Sequence, residues 1–503
     1  MTRAARDIVS AGRSRIERTW QVVSPELERR RLPVAVRHWE PALAWSGVVL
    51  ILGLMLLLPP LINPVAAAIA AVVIAAALTT ISRVAPSGLW SPPAVLLVVI
   101  GLFHLGLVPF WITGSNPGLG RLSDQAWYYG PGGAYALGLV SLGVAAFAVG
   151  AHCVLAVYDP PPTVPQFDAD SREASLISTA GAVMVILAVS MWFGLAIERG
   201  GPTVFFGGYL AFRELMAGSI LGLLYQPIGI GVCLLVIGRL RGLALFGAAA
   251  FGLWASVGFF VGVRGEALHP LIAALCILGL RRALVRPLVA AVGALVLLSL
   301  IHLVQQVRVQ GLSAAASAGL SVNPLGGLAE LGNTIRVVAV THRWHLVEGE
   351  PFAGGTTYTV AVARALEAVV APDDRPPAAF DARLFNQLIL AREGPIGGSI
   401  VGEAFHNGGA IAVVIALLVA GGAAAWISAA TRTPWHAAVG VAFFIPLVYH
   451  VRNAFVPVVP WVVAALCLVA VLYLLTRGID VWHRKGPGPR LASAGGRSAA
   501  RGG

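Results

Sequence analysis

Runs of about 20 consecutive apolar residues recur along this chain, and they restrict its fold more than any other feature. An α-helix of that length spans the hydrocarbon layer of a bilayer, which is roughly 30 Å thick. Hydrophobic residues make up 57% of the 503 residues, and charged residues only 12%. That is too little polar surface for a soluble protein of this length. The sequence therefore predicts an all-α polytopic membrane protein.

The hydropathy pattern predicts about twelve transmembrane helices, with one large extracytoplasmic loop between helices 9 and 10. The first run is short and ends at Pro59-Pro60, which is typical of a tight hairpin with the second run. The eighth run is also short, as expected for a tilted or re-entrant helix. The predicted bounds are 43–58, 61–82, 93–112, 132–157, 175–197, 219–238, 242–262, 267–280, 284–304, 400–429, 435–450 and 456–476.

The distribution of arginine predicts the orientation, because cytoplasmic loops of membrane proteins carry an excess of Lys and Arg. With both termini in the cytoplasm, the inner segments hold most of the 35 Lys and Arg residues. The resulting domains are an Arg-rich cytoplasmic tail (1–42), a nine-helix membrane domain (43–304), an extracytoplasmic loop (305–398), a three-helix membrane domain (399–476) and a disordered cytoplasmic tail (477–503).

Several functional classes are disfavoured by the composition and by missing motifs. The net charge of +12 comes from loops and tails between spans, so anionic lipid headgroups explain it better than nucleic acid does. The four cysteines lie in or at the end of apolar runs without metal-ligand spacing, so no zinc site or disulfide framework is predicted. The sequence contains no Gly-Lys-Ser/Thr phosphate loop, which disfavours an ATP-driven pump. It also contains no cluster of intramembrane acidic residues, which disfavours an ion-coupled carrier. We expect no cofactor and no metal.

Two arginines in the predicted outer loop are spaced for anion binding. Arg336 and Arg343 are seven residues apart on a predicted helix, so they project from nearly the same side. Two guanidinium groups in line form a donor array suited to phosphate or diphosphate. The alternative is a solvated helix face on which these arginines pair with Glu348 and Glu350.

Two further arginines are predicted at the outer ends of spans. Arg264 lies in a small-residue turn next to Glu266, and Arg452 follows Tyr449-His450. An arginine at the membrane edge is a candidate for function. The alternative for Arg264 is a side chain that extends to the interface and pairs with Glu266.

The segment 402–409 places a carboxylate and an imidazole together. Glu403 and His406 are three residues apart and share one helical face. A carboxylate that orients an imidazole can serve as a general base for a sugar hydroxyl. The alternative is a polar cap that fixes the exit of the loop. Metal binding is disfavoured because a third ligand at useful spacing is missing.

Taken in order, these motifs resemble the O-antigen polymerase (Wzy-type) family of oligosaccharide repeat-unit polymerases. The similarity covers roughly residues 200–460. The sequence departs from the family pattern at His406, which precedes Asn407, and at Gly408, which stands where an aromatic-glycine pair is expected. The resembling segments are Gly262-Val-Arg264-Gly, Glu330-Leu-Gly-Asn-Thr334 with Arg336, Gly354-Gly-Thr-Thr-Tyr358, Gly398-Ser399-Ile-Val-Gly402-Glu403-Ala-Phe-His406-Asn407-Gly-Gly409, and Arg452.

The resemblance implies a glycosyltransferase that needs no nucleotide. Such enzymes transfer a growing glycan from undecaprenyl diphosphate onto the next lipid-linked repeat unit, at the outer face of the bacterial cytoplasmic membrane. Glu330, Glu403 or His406 would activate the acceptor hydroxyl. The implied partners are the lipid-linked donor and acceptor, membrane lipids, and a chain-length regulator and flippase of the same pathway. The implied diphosphate- and sugar-binding residues are Arg264, Arg336, Arg343, Arg452 and Asn407.

Two alternatives stay open. The first is an O-antigen ligase or another lipid-linked glycosyltransferase, which differs from a polymerase in its acceptor. Transferases that use monophosphate-linked sugars resemble one another in an acidic motif in the first outer loop. Here that loop is only the Pro59-Pro60 region, which counts against this class of transferase. The second alternative is a lipid-linked glycan flippase or exporter with arginines along its route. A transporter would tolerate loss of Glu403 and His406 better than loss of those arginines.

Overall fold

The fold is entirely helical across the part of the chain that the computed structural model describes. The predicted all-α class is confirmed, since these residues contain no β-strand. Residues 1–33 and 485–503, which include most of both predicted tails, lie outside the described residues. The described residues are 34–118, 126–158, 167–206, 212, 220–281, 287–310, 317, 319–371, 373, 375–378 and 380–484.

The helices are numbered α1 to α18 in chain order, and short 3₁₀ turns or a single π turn (Arg343–Val347) join some of them. Their bounds are α1 Val34–Met55, α2 Asn63–Val84, α3 Pro92–Leu105, α4 Val108–Thr113, α5 Ala126–Tyr129, α6 Pro131–Tyr158, α7 Arg172–Gly200, α8 Tyr225–Leu235, α9 Leu243–Phe260, α10 Arg264–Leu280, α11 Pro287–Gln310, α12 Pro324–Gly332, α13 Ile335–His342, α14 Thr356–Val370, α15 Phe385–Glu393, α16 Ile400–Ala430, α17 Pro434–His450 and α18 Val458–Arg484.

Six helices in the described residues are long and apolar enough to cross a membrane by length and composition. They belong to α2, α6, α7, α11, α16 and α18, and four shorter apolar helices accompany them. Each of the twelve predicted spans overlaps a helix, although the third is split at Gly106-Leu107 between α3 and α4. A polytopic membrane protein is thus supported, while the count of twelve stays a prediction.

Helices α6 and α16 pack closely against each other at the centre of the bundle. Their contact depends on small residues, as is usual for helices that pack within a membrane. A side chain on Gly421 of α16 would collide with the backbone of Phe147, and one on Gly150 of α6 would collide with the backbone of Leu418. Glycine therefore lets the two backbones approach, and α6 is largely buried as a result.

Helix α16 is interrupted near its start. Gly408 and Gly409 leave the helical conformation, and Gly409 has φ of 66°, a value that favours glycine. The interruption separates residues 400–407 from the long apolar part of the helix. The motif that carries Glu403 and His406 thus forms a short helical segment of its own.

The predicted outer loop (305–398) contains helices α12 to α15 and is not an irregular segment in its described parts. Trp344 and Phe385 lie in a small hydrophobic cluster with Val337, Val340, Ile389 and Ala454. This cluster joins α13 and α15 to the segment that follows α17. The side of the membrane on which the loop lies stays a prediction.

Candidate functional site

A charged cavity opens where the ends of α10 and α17 meet. Together with the open solvent at its mouth, its empty volume is ≈ 1180 Å³. The carboxyl-terminal half of α3, α11 and the segment 395–397 complete its walls. Arg264 and Arg452, which are far apart in the sequence, both line it. The other polar or aromatic side chains of its wall are Glu266, His269, Tyr449, Asn453 and Phe103.

The local sequence explains why these side chains face one cavity. Helix α10 begins at Arg264, two residues after Gly262, which has φ of 87° and turns the chain back from α9. Helix α17 ends at His450, so Arg452 lies just beyond its carboxyl end. Because α10 and α17 pack against each other, the start of one helix and the end of the other supply charges to the same space.

Arg264 forms a buried ion pair with Glu330 of α12. The relative exposure of Arg264 is 5% and that of Glu330 is 9%. Glu266, the partner that the sequence suggested for Arg264, forms no salt bridge among the described residues. Nη1 of Arg264 and Oε2 of Glu330 have no hydrogen-bond partner there, so each group keeps one buried polar atom available. The pair therefore anchors Arg264 without using all of its donors.

Arg452 is held between two elements of the cavity wall. Its guanidinium carbon lies 5.5 Å from the centroid of the Phe103 ring, and its backbone carbonyl accepts a hydrogen bond of 3.0 Å from the N–H of Gly398. The second contact joins the end of α17 to the segment before α16. Arg452 thus stands in the cavity with its backbone fixed.

Glu403 is fully buried at the start of α16. Its Oε2 accepts a hydrogen bond of 2.7 Å from the backbone N–H of Phe455 and lies 3.9 Å from Nδ1 of His450. Its Oε1 has no partner in the described residues. Among those contacts none joins Glu403 to the ring of His406, so the predicted carboxylate–imidazole couple is not formed in this structure.

The ring of His406 is oriented by a second histidine instead. Nδ1 of His345 donates to the backbone carbonyl of Glu350 over 2.9 Å, because a carbonyl can only accept. Neutral His345 must then accept at Nε2, so Nδ1 of His406 donates across the 2.9 Å that separates the two rings. This assigns the tautomer of neutral His406: the proton is on Nδ1 and the lone pair on Nε2.

An ion-pair network on the surface holds Glu350, whose backbone carbonyl accepts the hydrogen bond from His345. Arg392 donates to both carboxylate oxygens of Glu350 over 2.8 and 2.6 Å, and this hydrogen bonding lowers the pKa of Glu350. The guanidinium of Arg392 also lies 4.0 Å from the centroid of the Trp344 ring. The same network contains Arg343, which pairs with Glu348 and Glu393.

Arg343 and Arg336 therefore occupy different surroundings. Arg343 is engaged by two carboxylates outside the charged cavity, which agrees with the solvated-face alternative. Arg336 lies at the start of α13, half-buried, and its Nε has no partner in the described residues. Neither residue lines the charged cavity, so their diphosphate-binding role stays a prediction.

Asn407 joins the start of α14 to α16. Its amide nitrogen donates to Oγ1 of Thr357 over 2.7 Å and to the carbonyl of Glu403 over 2.8 Å. The neighbouring Tyr358 is buried, and burial together with the charge of Glu403 raises the pKa of its hydroxyl. The amide nitrogen of Asn407 is thus engaged in hydrogen bonds within the protein. Its sugar-binding role stays a prediction.

Sequence patterns did not single out three residues that the structure brings forward as functional candidates. Glu266 and His269 line the charged cavity, and His345 orients His406. Glu266 and His269 are three residues apart, a spacing that places both on one face of α10, so helical periodicity could have indicated them. His345 is 61 residues from His406, and no spacing rule joins the two.

Comparison with known protein families gives a match over the second half of the chain. Residues 248–480 match the family model described as O-antigen polysaccharide polymerase Wzy, and this segment contains all the candidate residues named above. No curated protein and no solved structure matches the chain significantly. The resemblance drawn from short motifs is therefore confirmed. Together with the membrane-spanning helices, the match indicates a multi-pass protein of the bacterial inner membrane.

Proposed function

We propose, with the resemblance to the O-antigen polymerase family confirmed, that this protein joins diphosphate-linked oligosaccharide repeat units into a surface polysaccharide. The observation that carries the proposal is the charged cavity, in which Arg264 and Arg452 share one space at the ends of two apolar helices. Guanidinium groups match the oxygens of a diphosphate and remain charged at any physiological pH.

The reaction requires little beyond positioned charge. The hydroxyl oxygen of the acceptor sugar attacks the anomeric carbon of the donor, the bond from that carbon to the diphosphate oxygen breaks, and the lipid diphosphate leaves with the electron pair. Negative charge develops on the leaving group in the transition state. Fixed guanidinium groups stabilise that charge more than they stabilise the ground state, which is the condition for catalysis.

An apolar crevice next to the charged cavity supports a lipid-linked donor. It is narrow in this structure, and it shares Glu266 and His269 with the cavity. Side chains of α8, α10, α17 and α18 form its walls, among them Ile230, Pro270 and Trp461. A charged space that continues into an apolar one suits a ligand with a diphosphate head and a hydrocarbon chain.

Ligase activity is the closest alternative, because a ligase uses the same donor and differs only in its acceptor. The charged cavity fits both activities equally well, and the family match favours polymerisation. An exporter is less well supported, since Arg264 is anchored by a buried ion pair and does not stand free along a route.

The test is polymer formation by the purified protein in lipid nanodiscs. We expect it to convert a diphosphate-linked repeat unit into a ladder of oligomers without nucleotide and without added metal. A product with a single repeat transferred to a different lipid acceptor would indicate a ligase. A strict requirement for ATP, or movement of the intact substrate across the bilayer without glycosidic bond formation, would exclude the proposal.

A further inference from the structure

We infer that Glu266 is the general base that takes the proton from the acceptor hydroxyl, an inference that rests on the proposed function. Sequence analysis left three candidates for this role, Glu330, Glu403 and His406. Glu266 was considered there only as an ion-pair partner for Arg264. The structure gives that partnership to Glu330 and leaves Glu266 facing the charged cavity.

The first argument is position. Among the residues that line the charged cavity in the described part of the chain, Glu266 is the only one with a carboxylate. A general base must come within hydrogen-bond reach of the proton that it removes, so it has to share the space in which donor and acceptor meet. If Arg264 and Arg452 hold the leaving diphosphate, the reacting carbon lies next to them, in the same cavity as Glu266.

The second argument is that the other candidates are engaged elsewhere. Glu330 is engaged in its buried ion pair with Arg264 and does not line the charged cavity. Glu403 is fully buried, and one of its oxygens accepts the backbone N–H of Phe455. His406 has a lone pair on Nε2, but it lies beside Trp344 and Phe385 and is not part of the cavity wall.

The third argument concerns the state of the Glu266 carboxylate. It forms no salt bridge among the described residues. Burial raises the pKa of its carboxyl group, and the positive charges of Arg452 and Arg264 act in the opposite direction. It is half-buried, while Arg264 is buried. The pKa of the Glu266 carboxyl group therefore lies above that of an ordinary glutamate, which favours proton uptake, and the group remains available to a hydroxyl group.

A structural role for Glu266 makes a different prediction. The residue lies in the first turn of α10, where a negative charge stabilises the helix through the helix dipole. On that account Glu266→Gln would lower stability slightly and leave turnover unchanged. On ours, the hydroxyl proton passes to a Glu266 oxygen as the new C–O bond forms and the diphosphate leaves, and it then moves to solvent.

The experiment compares Glu266→Gln with the wild-type protein in nanodiscs, using a diphosphate-linked repeat unit as donor. Removing a general base should slow turnover by roughly 10²–10⁴-fold. Binding of the donor, measured separately, should be unchanged. The matched control is Glu198→Gln, which removes an exposed carboxylate at the end of α7, outside the cavity, and should polymerise at the wild-type rate.

Chemical rescue separates a base from a structural residue. Formate should restore part of the turnover of Glu266→Ala and none of that of Arg452→Ala. Turnover of Glu266→Gln at the wild-type rate, loss of donor binding in place of turnover, or absence of rescue by formate would each overturn the base role. Failure of the wild-type protein to make any polymer would instead overturn the proposed function. Elution as a single species in gel filtration confirms that each variant is folded.

Discussion

Arg264 and Glu330 lie 66 residues apart in the sequence and form an ion pair that is buried between α10 and α12. Burying two charges is costly, so such a pair is poor evidence of stabilisation by itself. Its effect is to fix the start of α10 relative to α12. Because Arg264 lines the charged cavity while Glu330 does not, the pair links the geometry of that cavity to the loop between α11 and α16.

Removal of either member of this pair should therefore destabilise the protein. Glu330→Gln leaves Arg264 buried without a counter-charge, and we expect a loss of about 3–5 kcal/mol in the free energy of unfolding. Thermal unfolding in detergent measures the loss as a lower midpoint. Polymer formation should fall as well, because Arg264 is no longer held in place.

A double variant separates stability from catalysis. Arg264→Met combined with Glu330→Met replaces the pair by apolar side chains of similar length, and it should recover most of the lost stability. It should not recover polymer formation, since the guanidinium is missing. Wild-type polymer levels in the double variant would mean that Arg264 has no part in the reaction.

Arg452 and Arg343 allow a direct comparison of two arginines predicted to bind substrate. Arg452→Lys keeps the charge in the cavity but loses the planar donor array, so polymer formation should fall by roughly tenfold or more, which corresponds to one lost charge-assisted hydrogen bond. Arg343→Lys should change it little, because Arg343 pairs with Glu348 and Glu393 outside the cavity. For both variants, the length of the polymer ladder and the initial rate of polymer formation are measured.

A larger loss of polymer formation in Arg343→Lys than in Arg452→Lys would instead support diphosphate binding by the pair Arg336 and Arg343. Arg336→Ala then becomes the decisive variant, because Arg336 is half-buried and its Nε has no partner in the described residues. Unchanged polymer in Arg336→Ala together with loss in Arg452→Lys would assign the diphosphate to the charged cavity alone.

The helices could be predicted from the sequence because their cause is local. A run of apolar residues is favourable in a bilayer whatever its neighbours, so every predicted span overlaps a helix. Arg264 and Arg452, which line the charged cavity, could also be selected as candidates from the sequence, since arginine at the end of an apolar run is unusual wherever it occurs.

The pairing of side chains could not be predicted, because it depends on contacts between distant elements. Sequence spacing suggested that Glu403 orients His406, yet α13 and its π turn bring His345 to that ring. Likewise, Glu266 is the nearest acid to Arg264 in the sequence, but the packing of α12 brings Glu330 to it. Local spacing identifies which residues share a helix face and does not identify what packs against that face.

Asp381 should make the order of the outer loop depend on pH. Hydrogen bonds from Arg383 lower the pKa of Asp381 from 3.8 to about 2, and the carboxylate also pairs with buried Arg364. A carboxyl group whose pKa is lower in the folded state stabilises that state above its unfolded pKa, and the stabilisation is lost as pH falls through the folded pKa. Protection of α14 and α15 from hydrogen exchange should therefore decrease between about pH 4 and pH 2.

Asp381→Asn tests the origin of that dependence. It should reduce protection of α14 and α15 at neutral pH by about 3–5 kcal/mol, since Arg364 stays buried without its partner, and it should flatten the pH dependence. Glu367→Gln is the control: its contact with Arg383 is exposed, and its loss should cost less than about 1 kcal/mol. An unchanged pH profile in Asp381→Asn would assign the dependence to another carboxyl group.

The predicted orientation can be tested by cysteine labelling at two exposed positions. Val347, with 71% of its surface exposed, lies in the predicted outer loop, and Arg241 lies between α8 and α9 in a predicted inner one. In a variant without the four native cysteines, a membrane-impermeant thiol reagent should label Val347→Cys in intact spheroplasts. It should label Arg241→Cys only after permeabilisation, because the positive-inside distribution of arginine assigns that loop to the cytoplasm. The reverse pattern would move the charged cavity to the cytoplasmic side, where a polymerase acting on exported repeat units could not use it.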